Sequence, residues 1–166
     1  MLENQTITEL SSILLGEVIK PEDSRYEHER QVWNGLIDKH PALIAKCRGT
    51  SDVIHCVNFA RENGLQVSIR GGGHNVAGLA LCDDGLVIDL SNMRGVYVDP
   101  DSKIADVEGG ATWADVDRET QLFGLATPGG VVSTTGVAGL TLGGGLGWLR
   151  KKHGLSCDNL RSVRIV

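Results

Sequence analysis

The chain has 166 residues, with 16 Lys+Arg against 21 Asp+Glu and a net charge of −5. That suits one folded domain with its own core and argues against a nucleic-acid-binding surface. With 41% hydrophobic and 22% charged residues, it is too apolar for a disordered chain. No apolar run reaches the ~18 residues of a membrane span and no secretory leader pattern opens the chain, so a cytoplasmic protein without a membrane partner is expected.

In chain order, Leu10, Ile13 and Leu14 make one helical face, and Pro21-Glu22-Asp23-Ser24 breaks it as a turn. Tyr26 to Lys39 is charged on one side and carries Val32, Trp33, Leu36 and Ile37 on the other, which predicts a helix ending at Pro41. Ala42 to Cys47 is a short apolar strand. Thr50-Ser51-Asp52 then supplies an N-cap for a helix with Ile54, Val57 and Ala60 inward, closed by Asn63-Gly64. Gln66 to Arg70 alternates as the next strand, completing a strand–helix–strand unit whose strands run parallel. Gly71-Gly72-Gly73 therefore begins where a sheet strand ends, the usual place for a ligand in α/β architecture.

Asp83-Asp84-Gly85 is a turn. Leu86 to Leu90, Val96 to Val98 and Ile104 to Glu108 carry the signals of an antiparallel sheet, the last two forming a hairpin through Asp99-Pro100-Asp101-Ser102. Thr112-Trp113-Ala114-Asp115 has capping-box spacing and opens a helix through Phe123, stopped by Gly124. A second glycine-rich segment, Gly129 to Gly147, follows. Asn159 to Val166 alternates like a strand that lacks its partner, which predicts poor stability or self-association.

Glycine accounts for 22 residues, about 13% against a usual ~7%, and seventeen of them lie from Gly71 to Gly147. Consecutive amides in a tight glycine turn form a concave nest for phosphate oxygens, and glycine runs also mark plain turns and sheet corners; the loops alone leave both open. Neither run matches the dinucleotide fingerprint G-x-G-x-x-G, since Val76 and Trp148 occupy the final positions, and no P-loop or G-x-S-x-G elbow occurs. His74 follows the first run directly, as a ligand neighbour or a solvated loop residue, and Arg70 precedes it as an anion partner or a surface cation. Trp113 and Trp148 are read as core aromatics rather than stacking platforms. Cys47, Cys56, Cys82 and Cys157 form no C-x-x-C pair, so free, mostly buried thiols are expected, with no metal site and no nucleophile.

Taken together, Arg70-Gly71-Gly72-Gly73-His74-Asn75-Val76-Ala77-Gly78, Gly85 to Ser91, Pro128-Gly129-Gly130 and Gly136 to Gly145 resemble the FAD-binding (PCMH-type) domain of the vanillyl-alcohol oxidase superfamily. The similarity is greatest to its berberine bridge enzyme-like branch, which includes 6-hydroxy-D-nicotine oxidase-like enzymes. The resemblance implies an α+β fold: a small parallel α/β subdomain, then a mainly antiparallel subdomain, truncated at the C-terminus. Residues 1–40 are read from their own pattern as an N-terminal helical segment; the resemblance, which runs from about Trp33, implies 41–166 as an incomplete FAD-binding domain, with the substrate domain and a later flavin-contacting motif lying beyond Val166.

By that resemblance the loop of Arg70, Gly71, Gly72, Gly73, His74 and Asn75 cradles the FAD pyrophosphate through backbone amides, Gly78 also belongs to the cofactor site, and His74 bonds covalently to the 8α-methyl of the flavin. Many members add a cysteinyl link where this chain has Val132, so one covalent link is implied. Thr134, Thr135 and Gly136 fall near the flavin, with Thr135 in a stretch that influences oxygen access, and Gly139, Gly144 and Gly147 belong to the second glycine loop. The implied function is the FAD-binding part of an FAD-dependent oxidase or dehydrogenase acting on a small alcohol, sugar or amine, with O₂ or another electron acceptor. The alternatives are a non-catalytic flavin- or nucleotide-binding module, half of a split protein completed by another chain, or a remnant that binds nothing. No catalytic acid or base is assigned.

Overall fold

The computed structural model describes residues 4–166. They divide after Asn92, the second unit spanning Met93–Ile165.

The first unit holds α1 (Asn4–Ile13), β1 (Glu17–Ile19), α2 (Tyr26–Glu29), β2 (Leu43–Lys46), α3 (Thr50–Glu62), β3 (Val67–Arg70) and β4 (Leu86–Asp89). Its sheet has the order β1-β2-β4-β3. β2 and β3 both run parallel to β4, in register Ile44↔Val87 and Ser68↔Val87, while β1 pairs antiparallel with β2. Leu86 to Leu90 thus belongs to the parallel sheet and not to the antiparallel one expected. All four residues of β4 are buried, because a strand with parallel neighbours on both edges is covered on both faces and carries an unbroken apolar run. Ile19, Tyr26, Ile44, Leu81, Cys82 and Val87 form the core on one side, with Val32 and Ile37 packed against it.

The helix expected over Tyr26 to Lys39 stops at Glu29. The residues that follow satisfy their polar groups across the chain instead of along a helix. The Trp33 amide donates to Gly73 O (3.2 Å), Asn34 Nδ2 to Val76 O (2.8 Å), and Lys39 Nζ to Gly78 O (2.9 Å) and Leu81 O (3.0 Å). Trp33 is consequently 64% exposed and Leu36 lies on the surface, whereas Val32 and Ile37 keep their core contacts.

In α1 the inward residues are Ile7 and Leu10, followed by Leu14 just past the helix; Ile13 points outward. α3 is capped by Gly49 rather than by Thr50-Ser51-Asp52. Its buried stripe is Asp52, Cys56, Phe59 and Ala60, which places Ile54, two residues (about 200°) around the helix from Asp52, on the outer side. Asp52 is buried because its carboxylate accepts the amides of Leu15 (2.9 Å), Gly16 (3.0 Å) and Arg48 (2.9 Å), fastening the α1–β1 connection to α3. Gly64, at φ +61°, closes the helix as expected.

The second unit contains the expected hairpin, β5 (Val96–Asp99) with β6 (Ile104–Val107), and then α4 (Trp113–Gln121), α5 (Val137–Leu142), α6 (Arg150–His153) and a 3-10 turn at Cys157–Asn159. Its sheet has two strands among the described residues, and α5 lies inside a segment where only glycine-rich loop was expected. Asn159 to Val166 forms no strand; residues 160–166 are exposed and pair with no other strand among the described residues. An isolated strand without a ladder partner has nothing to offset its ordering entropy.

The capping box of α4 is present. The Thr112 amide donates to Asp115 Oδ2 (2.8 Å), and Arg94 donates from Nε and Nη2 at 2.9 and 2.8 Å. Burial alone would raise this carboxyl, but the Thr112 and Arg94 donors together hold it below its ordinary value. Such a group contributes stability that is full above its ordinary pKa of 3.8 and is lost as pH falls through the depressed one. Asp115→Asn is expected to cost about 1–3 kcal/mol at pH 7. The gap between mutant and wild type should narrow on acidification below 3.8, measured by denaturant titration at each pH.

Three cysteines, Cys47, Cys56 and Cys82, are buried thiols, while Cys157 is half-buried rather than buried. No helix among the described residues is long and apolar enough to cross a membrane, and no cluster among them has a metal-ligand set.

Candidate functional site

In the first unit β2, β3 and β4 end together, and Lys46, Arg70 and Asp89 stand in register at that edge. Arg70 is not a surface cation. It is 8% exposed, with Nη2 2.6 Å from Asp89 Oδ2 and Nη1 donating to the carbonyls of Glu29 and Gln31. Asp89 is fully buried; its second oxygen accepts the Ser91 amide at 2.9 Å. Glu29 completes the group, 2.7 Å from Lys46 Nζ and 3.8 Å from Arg70 Nη2. The strand end from which the glycine loop departs is thus fixed by buried, charge-assisted bonds, the strongest class of hydrogen bond.

The loop itself is held at its far side. Gly73 has φ +68°, a conformation in which a Cβ is strained, and its carbonyl accepts the Trp33 amide. The Gly78 amide returns to Asn75 O (3.0 Å), and Asn75 Oδ1 accepts the amide of Leu79 four residues on (3.1 Å), two bonds that set the loop's exit. At Gly78, φ is +71° and an added Cβ would lie 2.7 Å from the Ile37 side chain. Between these anchors, the amides of Gly71, Gly72 and Gly73 meet no backbone acceptor among the described residues. A hollow of about 250 Å³ opens beside them, lined by Trp33, Arg70, the three glycines and Ser91. Consecutive half-buried donors without a backbone acceptor fit an anionic ligand such as a diphosphate, whose oxygens only accept.

His74 comes next. Its imidazole stacks on the indole of Trp33, with ring centroids 5.3 Å apart and planes inclined by 19°. Burial pushes its pKa below the ordinary 6.5, so the neutral ring predominates at neutral pH.

In the second unit, residues 132–136 lie against the start of α4. The Trp113 amide donates to Thr135 O (3.0 Å), the Ala114 amide to Ser133 O (2.9 Å), and the Thr135 amide to Val132 O (3.0 Å). A bridge between Thr112 and Gly136 and a bond from the Val137 amide to Ala111 O (2.9 Å) continue the pairing. The first-turn amides of α4, which have no acceptor within the helix, thereby fix this segment. Val132 and Thr134 are exposed, Thr135 is half-buried and Gly136 buried.

Trp113 is buried beneath Gly129 and Gly130, where any Cβ would fall on its indole. Trp148, by contrast, is 84% exposed and is not a core aromatic. Gly147 approaches the Gly129 backbone so closely that a Cβ would lie 1.9 Å from its carbonyl oxygen. Gly144 adopts φ +110°, whereas Gly139 is exposed with open space around it. Two buried polar atoms of this region, Trp113 Nε1 and Thr141 Oγ1, have no hydrogen-bond partner among the described residues.

Two participants were missed by sequence reasoning. Trp33 was assigned to the inner face of a helix, although Gly35 and Pro41 within and after that stretch are breaker signals. Asp89 lies inside an apolar run, where a buried carboxylate needs a cation or several hydrogen-bond donors from elsewhere in the chain.

The profile of a family described as FAD binding domain matches residues 41–166. The chain is similar to the (R)-6-hydroxynicotine oxidase of Paenarthrobacter nicotinovorans, with 40% identity over 151 residues, 91% of this chain and 33% of that protein. The crystal structure of 6-hydroxy-D-nicotine oxidase from Arthrobacter nicotinovorans matches with a TM-score of 0.85 at 40% identity, covering 87% of this chain and 32% of that one. A variant of the BBE-like 1 protein of Physcomitrella patens matches with a TM-score of 0.84 at 26% identity, covering 92% and 34%. The chain spans about a third of the length of these relatives.

Proposed function

The chain belongs to the FAD-binding-domain family, and from that premise we propose that residues 41–166 hold FAD, with 1–40 as a preceding segment, in an oxidoreductase acting on a small alcohol, sugar or amine. The observation that carries the reading is the loop at the end of β3, where three consecutive glycine amides meet no backbone acceptor among the described residues and a histidine follows. The named substrate of the similar oxidase from Paenarthrobacter, (R)-6-hydroxynicotine, supports the substrate class.

In this reading the backbone amides of Gly71 to Asn75 bind the pyrophosphate, Arg70 holds that loop in place through Asp89, and Gly78 lets the chain turn away. His74 is the single point of covalent attachment, because Val132 has no sulfur with which to make a second. Thr134, Thr135 and Gly136 offer hydroxyls or amides toward the polar edge of the ring system, and Gly139, Gly144 and Gly147 belong to the second loop. FAD, when bound, supplies the acceptor for a substrate hydride and passes the electrons to O₂ or another acceptor. The reading includes a cytoplasmic setting, supported by the absence of a disulfide-framework spacing among the four cysteines.

Gly72→Val tests the loop by placing side-chain atoms among the donors. FAD affinity, read by fluorescence titration, should fall by at least about 10-fold, a cost of about 1.4 kcal/mol. An unchanged affinity would contradict the assignment. A second reading is a non-catalytic flavin module or half of a split protein. Turnover that appears on adding the complementary C-terminal fragment of such a relative marks the split enzyme; tight FAD binding without turnover marks the module.

A further inference from the structure

We propose that Trp33 is a positioning residue for His74: its indole fixes the plane of the imidazole and covers one ring face, so that the ring meets the flavin through its edge. This rests on the reading of His74 as the point of attachment. Three observations support it. The rings are 5.3 Å apart and inclined by only 19°, a stacked geometry. Trp33 is itself tied to the glycine loop, since its amide donates to Gly73 O at 3.2 Å, the residue just before His74, and the neighbouring Asn34 holds Val76 O at 2.8 Å. Finally, Trp33 remains 64% exposed, so its place beside His74 is not explained by burial in the core.

Both nitrogens of an imidazole lie at its edge, so a platform that occupies one face orients the reacting atoms without obstructing them. It also keeps water from that face, in agreement with a pKa lowered by burial. The bond forms between a ring nitrogen and the flavin 8α-carbon. One hydrogen leaves that carbon and one leaves the imidazole, and both, with the bonding electrons, end on O₂ as H₂O₂. Trp33 takes no part in that exchange; it reduces the orientational freedom that the imidazole must lose beforehand.

The test uses the full chain, reconstituted with FAD in air, and follows covalent incorporation by in-gel fluorescence for the wild type, Trp33→Ala and Trp33→Phe. At saturating FAD, Trp33→Ala should attach the flavin about 3- to 10-fold more slowly, the range expected for an aromatic pair. Trp33→Phe, which keeps a stacking face, should restore the rate. The His74 protonation midpoint, followed by NMR in the FAD-free chain, should rise in Trp33→Ala and stay in Trp33→Phe; the same spectra report that each variant is folded. A wild type that attaches FAD and a Trp33→Ala chain that attaches it equally fast, or an unmoved His74 midpoint, would overturn the role of Trp33 alone. A wild type that never attaches FAD would instead overturn the attachment reading, and the proposal with it.

Discussion

His74→Ala gives a chain that releases all of its flavin on denaturation. The substitution removes the single nucleophile that the proposed site offers, while the donors of Gly71, Gly72 and Gly73 are backbone groups and remain. Reversible FAD binding should therefore persist in weakened form, and in-gel flavin fluorescence should vanish. The expectation has a chemical basis in the wild type: burial keeps the His74 imidazole below its ordinary 6.5, so at neutral pH the ring is largely in the uncharged form that can attack carbon. Flavin still attached to the denatured mutant would place the bond at another residue.

The largest loss of stability is expected at Asp89. Asp89→Ala deprives a guanidinium that is almost wholly buried of its closest carboxylate, 2.6 Å away, and leaves the Ser91 amide without its acceptor. Breaking a buried pair from one side costs about 3–5 kcal/mol. Glu29, with its carboxylate 3.8 Å from Arg70 Nη2 and its carbonyl also accepting from Arg70, offsets part of that cost. A loss of about 3 kcal/mol is expected, lowering the melting temperature by about 6–12 °C for a chain of this length. Because Arg70 immediately precedes the glycine loop, FAD affinity should fall as well. Asp89→Ala chains that melt within 2 °C of the wild type, about 1 kcal/mol or less, would show that Asp89 does not hold the strand end.

Elements with a local period were legible in the sequence. The Ala42–Arg70 strand–helix–strand unit, the Asp99–Ser102 hairpin and the capping box at Thr112 all appear. What escaped were partnerships between distant residues. β4 was legible as a strand, but its parallel neighbours lie on either side of α3 in the chain, and the Leu86-Val87-Ile88 run, a local sign of a strand covered on both faces, does not say which strands flank it. The 31–40 stretch has helical spacing of apolar residues, yet its amides and amines are satisfied by residues 73–83, some forty positions away. Arg70 looked like a strand-end cation because its partner, Asp89, is hidden in an apolar run. Of the candidate site, the glycine loops and His74 were legible as motifs. Trp33 was not, because stacking across a chain separation of that length leaves no periodic trace.

The most direct test of the account is the intact mass of the purified, denatured chain, taken together with its visible spectrum. A mass increased by one FAD and a yellow polypeptide are expected, the added mass mapping to the peptide that contains His74. An unmodified mass in a chain that also takes up no FAD on titration would contradict it.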